Sequence, residues 1–165
     1  MVELLIWRHA KTERGAGLPD HDRRLLPIGR DDALDVARAL LERNLVPDIV
    51  LCSSAARAQE TAYALYEVLA DEARAPERFD LPELYSADEG DYISLVRLYG
   101  GGASRILIVG HNPTAERFVS CATGDETTMK TGALAVLHAA AAGASDLPDS
   151  AELTLSEMIL PLRRR

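Results

Sequence analysis

The chain has 165 residues, with 18 Lys or Arg against 26 Asp or Glu, a formal net charge of −8. A surface of that sign repels polyanions, which argues against general binding to nucleic acid or to an anionic membrane. The 47% hydrophobic and 27% charged content is that of a soluble globular protein, and the length suits a single domain over residues 1–165.

In chain order, Leu4 to Trp7 reads as a buried strand, because so short a continuous apolar run suits a central strand covered on both faces. Arg8 and His9 follow at its end. Glu13 to Leu25 is polar and turn-rich and is expected to loop over that strand end. Ala33, Val36, Ala37, Leu40 and Leu41 then form the apolar stripe of a helix, which Asn44 and Pro47 stop. Ile49 to Cys52 is a second strand. Ser53 and Ser54 offer N-caps for a helix carrying Arg57 in its first turn, with Ala58, Thr61, Ala62, Leu65, Val68 and Leu69 inward. Arg78 to Leu81 is a weak third strand and Pro82 to Gly90 a loop, and Ile93, Val96 and Tyr99 mark a third helix closed by Gly100 to Gly102. Arg105 to Val109 is the clearest strand. It runs into Gly110-His111-Asn112-Pro113, with Pro113 expected at the first helical position, and Ala115, Phe118, Val119 and Ala122 complete that helix. Two strands end the chain, Ala133 to His138 and Ala151 to Leu155. The order β-α-β-α-β-α-β-α-β-β predicts an α/β fold, a mostly parallel central sheet sandwiched between helices.

Parallel strands deliver their C-terminal ends to one edge, where open α/β sheets bind ligands. Arg8 and His9 reach that edge after strand one, Ser53, Ser54 and Arg57 after strand two, and His111 after strand four. An arginine fork matches phosphate oxygens bidentately, and helix N-termini add free N–H groups. A neutral histidine there can attack phosphorus and form a phospho-histidine that water cleaves. Nearby Arg8 and Arg57 disfavour its protonated form. His111 can donate a hydrogen bond to the transferring group, so that positioning and charge stabilisation do the work without a metal or cofactor.

Arg8-His9-Ala10 after a hydrophobic first strand resembles the Arg-His-Gly signature of the histidine phosphatase superfamily. Ser53-x-x-x-Arg57-x-x-x-Thr61 resembles its second motif and Gly110-His111-Asn112-Pro113 its third. Asp20 to Gly29 is similar to the loop of the short bacterial phosphohistidine phosphatases of SixA type. The resemblance implies a three-layer, phosphoglycerate mutase-like fold, with His9 as nucleophile, Arg8 and Arg57 as phosphate clamps, His111 as second pocket histidine and Arg23 as a further substrate contact. It places a proton-donating Glu near Glu83, with Asp88 and Glu89 as rivals on the same loop. Ala10 replaces the more general family's Gly, and Leu26 stands where a capping Thr is usual, so that helix has a weaker start. The expected substrate is a phosphorylated protein carrying phosphohistidine, with a small phosphate ester as the alternative and a silent phosphate-binding module as the non-enzymatic one. A mutase would need longer insertions to enclose a sugar phosphate.

Other features have plainer readings. His21 is expected to be solvated and His138 structural. A zinc site from His9, His21 and His111 lacks a Cys or a close-spaced His pair. Cys52 and Cys121, in apolar contexts, are expected as buried thiols of a reducing compartment. No apolar run approaches the ~18 residues of a membrane span, and no signal-peptide pattern is seen, so the expected location is cytoplasmic, the expected state a monomer or weak homo-oligomer, and Arg163 to Arg165 a solvated tail.

Overall fold

A computed structural model describes residues 1–15, 17–149 and 151–163. Strand β1 (Val2–Arg8) alternates between two helical layers, with Leu4 and Ile6 facing one and Leu5 and Trp7 the other. All four are fully buried, which is why the run is continuously apolar rather than alternating. Helix α1 (Pro27–Glu42), strand β2 (Ile49–Ser53), helix α2 (Ala56–Val68), strand β3 (Glu77–Leu81), helix α3 (Glu89–Gly100), strand β4 (Arg105–Gly110), helix α4 (Thr114–Thr123) and strands β5 (Leu134–Ala139) and β6 (Thr154–Ile159) follow in the expected order.

The six strands lie in the order β3-β2-β4-β1-β5-β6. Strands β3, β2, β4 and β1 are mutually parallel, β5 runs antiparallel to β1, and β6 antiparallel to β5. Val36 and Leu40 of α1 and Ala58 and Leu65 of α2 pack on Leu5, Trp7, Val50 and Val109. Tyr92 and Val96 of α3 and Phe118 and Val119 of α4 pack on Leu4, Ile6, Leu51 and Ile108. The result is the three-layer αβα sandwich expected from the sequence. The chain crosses from β1 over β4 to β2 and later returns, so the crevice at the ends of β1 and β4 is the topological switch point.

Several boundaries differ for local reasons. Helix α3 starts at Glu89 because Asp88 caps it: its carboxylate accepts from the backbone N–H of Gly90 and Asp91 while the Asp91 carboxylate accepts from the Asp88 N–H. Strand β6 lies later than the expected Ala151–Leu155. Consecutive Val136 and Leu137 pair with Glu157 and Leu155, so Ser156 is the extra residue of a β-bulge that breaks the alternation. Helix α4 starts at Thr114, with Pro113 as N-cap rather than as first helical residue. Helix α1 follows Leu26 directly, without a side-chain cap but with Pro27 in its first turn. Cys52 is buried, and its thiol is pushed up to about 12 by desolvation. Cys121 is exposed, contrary to expectation. Among the described residues no helix is long and apolar enough to cross a membrane. Arg163 is exposed, and Arg164 and Arg165 lie outside the described residues.

Candidate active site

Arg8 and Gly110 are register partners across β1 and β4, and the His9 N–H donates to the Gly110 carbonyl at 3.1 Å. The next residue on each strand is therefore a histidine beside the other, and the rings of His9 and His111 lie 5.3 Å apart between centroids. They share a cavity of about 720 Å³ with Arg8, Lys11, Thr12, Arg14, Asp20, Arg23, Arg57, Asn112 and Thr131. Five cations thus converge on one opening of a chain whose net charge is −8.

His9 Nδ1 lies 2.8 Å from the Ala10 carbonyl oxygen. A carbonyl only accepts, so Nδ1 carries the proton and Nε2 keeps its lone pair. Burial, opposed by that hydrogen bond and reinforced by Arg57, Arg8 and Arg23, pushes the His9 imidazolium down to about 4. Burial followed by the neighbouring His9 and Arg57 pushes His111 down to about 3. Both rings are neutral at pH 7. His111 Nε2 lies 2.7 Å from Ser53 Oγ, and its buried Nδ1 has no protein partner. If the Ser53 hydroxyl donates, Nδ1–H is left free to donate to a bound anion. The Ser53 oxygen itself accepts from the Ala55 N–H at 3.3 Å, which suits that polarity.

These shifts set a pH dependence. Below the ordinary imidazole pKa near ~6.5 the unfolded chain binds protons that the folded one refuses. Stability held by His9 is thus complete above that value and is lost as pH falls through it toward about 4. Nitrogen NMR of the imidazoles should show His9 and His111 neutral at about pH 5, one and a half units below the ordinary value. Charged rings there would contradict the assignment.

The arginines are held by different means. Arg8 Nη1 donates to the Met129 carbonyl at 2.7 Å, while its buried Nε has no protein partner. Asn112 donates to the same carbonyl at 3.1 Å, and Glu116 accepts from the Met129 N–H at 2.7 Å, so α4 braces the Arg8 support. Arg57, 7% exposed, donates through Nη1 to the Asp20 carbonyl at 2.7 Å and through Nη2 to the Asp20 carboxylate at 3.0 Å. Thr61, one turn on, accepts from the Ala10 N–H at 3.1 Å and donates to the Arg57 carbonyl at 2.7 Å. That explains the spacing of the second motif: one hydroxyl ties the chain after His9 to the helix that carries Arg57.

Arg23 reaches the cavity on a loop pinned to the strand end. It donates to the Glu13 carbonyl, the Asp20 carboxylate and Thr12 Oγ1 at 3.0, 3.0 and 2.5 Å. The Leu26 N–H donates to the Lys11 carbonyl at 2.9 Å. A Cβ at Gly29 would lie 2.2 Å from that oxygen, so the close approach demands glycine. Asp20 thus meets Arg23, Arg57 and the Tyr85 hydroxyl, the last at 2.7 Å. The Tyr85 hydrogen bond first, then Arg23, holds its carboxyl well below the usual range.

Of the residues singled out in the sequence, the structure brings His9, Arg8, Arg57, His111 and Arg23 together around one cavity. Glu83 is different: its side chain is exposed and does not line the cavity, whereas Tyr85, two residues on, meets the cavity residues His111 and Asp20. Asp88 is committed to capping α3, and Glu89 lies beside Phe118 and Cys121 on another face. Ser53 and Ser54 do not cap α2, whose N-cap is Ala55. Ser53 serves His111, and Ser54 Oγ lies 2.9 Å from Nε2 of His21, which packs edge-on against Tyr85 rather than standing free in solvent. His138 pairs with Glu3 at the opposite edge of the sheet. Tyr85 and Asn112 were missed, yet each follows a strand ending on the ligand edge. Among the described residues no group of three or more His, Cys, Asp or Glu is placed to hold a metal ion.

An αβα sandwich of this topology, with two histidines, half-buried Arg8 and buried Arg57 at its switch point, is phosphoglycerate mutase-like. Residues 4–83 match the histidine phosphatase superfamily (branch 1), and the chain belongs to that superfamily. An uncharacterized protein of Mycobacterium tuberculosis, Rv1276c, is 40% identical over 108 residues, 65% of this chain and 63% of that protein. The matched segment thus spans less than two thirds of that relative. ML1117 of Mycobacterium leprae, also uncharacterized, is 37% identical over 126 residues, 73% of each chain. Over nearly the whole length the fold is similar to the protein named SixA from Nakamurella multipartitia, with a TM-score of 0.84, 26% identity, and 98% and 97% of the two chains covered.

Proposed function

We propose that the chain is a phosphatase that removes phosphate from phosphohistidine on a protein through a covalent phospho-His9 intermediate. The observation that carries this reading is the His9 ring itself: neutral, with Nδ1–H pinned to the Ala10 carbonyl and the Nε2 lone pair free beside Arg8 and Arg57. Nε2 attacks phosphorus, and the bond from phosphorus to the substrate nitrogen breaks. The electron pair leaves with the substrate imidazole. Water then attacks phospho-His9, its oxygen joins phosphorus, and inorganic phosphate departs as Nε2 recovers its lone pair. Arg8, Arg57, Arg23 and the Nδ1–H of His111 oppose the charge that builds on the phosphoryl oxygens. The likeness to SixA supports the same substrate class.

The acid inventory favours phosphohistidine over an ester. Among the described residues lining the cavity, the sole carboxylate is Asp20, which Tyr85, Arg23 and Arg57 hold ionised. An ionised carboxylate cannot protonate an alkoxide. A phosphohistidine protonated on its other ring nitrogen releases neutral imidazole, whose conjugate acid has a pKa near ~6.5, and asks little of a proton donor. A missing general acid costs on the order of 10²- to 10⁴-fold. Side by side, a phosphohistidine peptide should exceed an alkyl phosphate in kcat/KM by at least about 100-fold. Equal or faster turnover of the ester would replace this reading with that of a small-molecule phosphatase.

A further inference from the structure

Beyond the phosphate cavity lies a second one of about 620 Å³, sharing Arg8, Lys11 and Thr131 with the first. Its far wall is the segment after β6, Leu160 to Arg163, and its near wall is Ile28 of α1 with Lys130. That far wall is fixed in place. The Leu162 N–H donates to the Asp35 carboxylate at 3.3 Å, and Pro161 packs so closely on Gly132 that a Cβ there would meet it at 3.0 Å. Yet the apolar side chains that line the groove are open to water: Ile28 is 39% exposed, Leu160 53% and Leu162 70%. Lys11, Lys130 and Arg163 surround them and are also exposed. Asp32, the carboxylate of this lining, is buried.

We infer that this groove docks the polypeptide flanking the phosphorylated residue, a segment combining apolar side chains with acidic ones. Two features select a protein segment. First, the groove is continuous with the catalytic cavity through a shared wall, so a chain entering one passes into the other. Second, the two spaces together exceed the roughly 300–1,000 Å³ of a small-molecule site. The apolar residues would seat against Ile28, Leu160 and Leu162, and the acidic ones would face Lys130 and Arg163. This rests on the phosphohistidine reading of the first cavity.

The test compares free phosphohistidine with a phosphohistidine peptide flanked by Leu and Glu, so that the reacting bond is the same in both. Wild type should favour the peptide about tenfold in kcat/KM, mainly through KM. Leu160→Ala with Lys130→Ala should bring the ratio near unity while kcat/KM on free phosphohistidine stays at the wild-type value. Lys130→Glu should reverse the preference toward a peptide carrying Lys in place of Glu, a gain that misfolding cannot produce. A wild type that cleaves both substrates equally, variants that keep the peptide preference, or no reversal by Lys130→Glu would each overturn the groove. Turnover of neither substrate, with alkyl phosphate still cleaved, would overturn the phosphohistidine reading and the groove with it.

Discussion

His9→Ala should fold like the wild type and lose turnover by a factor on the order of 10⁴ or more, because nucleophilic catalysis has no substitute once the attacking atom is gone. The fold should survive because the ring's hydrogen bond runs to the carbonyl of its own neighbour, and its depressed pKa reflects burial rather than a stabilising ion pair. The strand that carries it is held independently by β4 and β5. Steady-state turnover together with a thermal melt checks both halves. Retained turnover in a folded variant would move the chemistry to another residue.

Arg57→Lys carries the second largest expected loss. The guanidinium spans the Asp20 carbonyl and carboxylate with two nitrogens at once and lies 5.9 Å from the Tyr85 ring centroid. An ammonium is a point charge on a flexible stem and cannot keep both contacts while facing a phosphate. Each charge-assisted hydrogen bond lost costs about 1.5–3 kcal/mol, so kcat/KM should fall at least tenfold. The loss should exceed that from simple charge removal at an exposed cation such as Arg24, whose ion pair with Glu60 lies outside the cavity. Near-normal kinetics would remove Arg57 from phosphate binding.

Much of this site was legible because strand polarity does most of the work. Apolar runs of four or five residues ending in Arg8-His9 and Gly110-His111 locate two strand ends, and parallel pairing makes them neighbours. Glu83 stands outside the cavity lining for a local reason. A 3-10 turn over Pro82–Tyr85 leaves Glu83 in solvent and turns Tyr85 toward Asp20 and His111. Spacing along a loop carries no such directional signal. Ser53 and Ser54 look like caps in sequence, but the hydroxyls face two histidines that come from distant segments. Likewise the Asp20 cluster draws Arg23, Arg57 and Tyr85 from three places in the chain. The Ser156 bulge hides β6 because it resets the very alternation by which strands are read. Asp88-x-x-Asp91, by contrast, is a capping signal that was present in the sequence and went unread.

The most direct test of the covalent route is rapid quenching of wild type during turnover of a radiolabelled phosphohistidine peptide, followed by mapping of the trapped label. The expected result is acid-labile, base-stable phosphate on Nε2 of His9, since Nδ1 is occupied by the Ala10 carbonyl. Label on His111 or any other residue, or a full catalytic burst with no label on the protein, would contradict it.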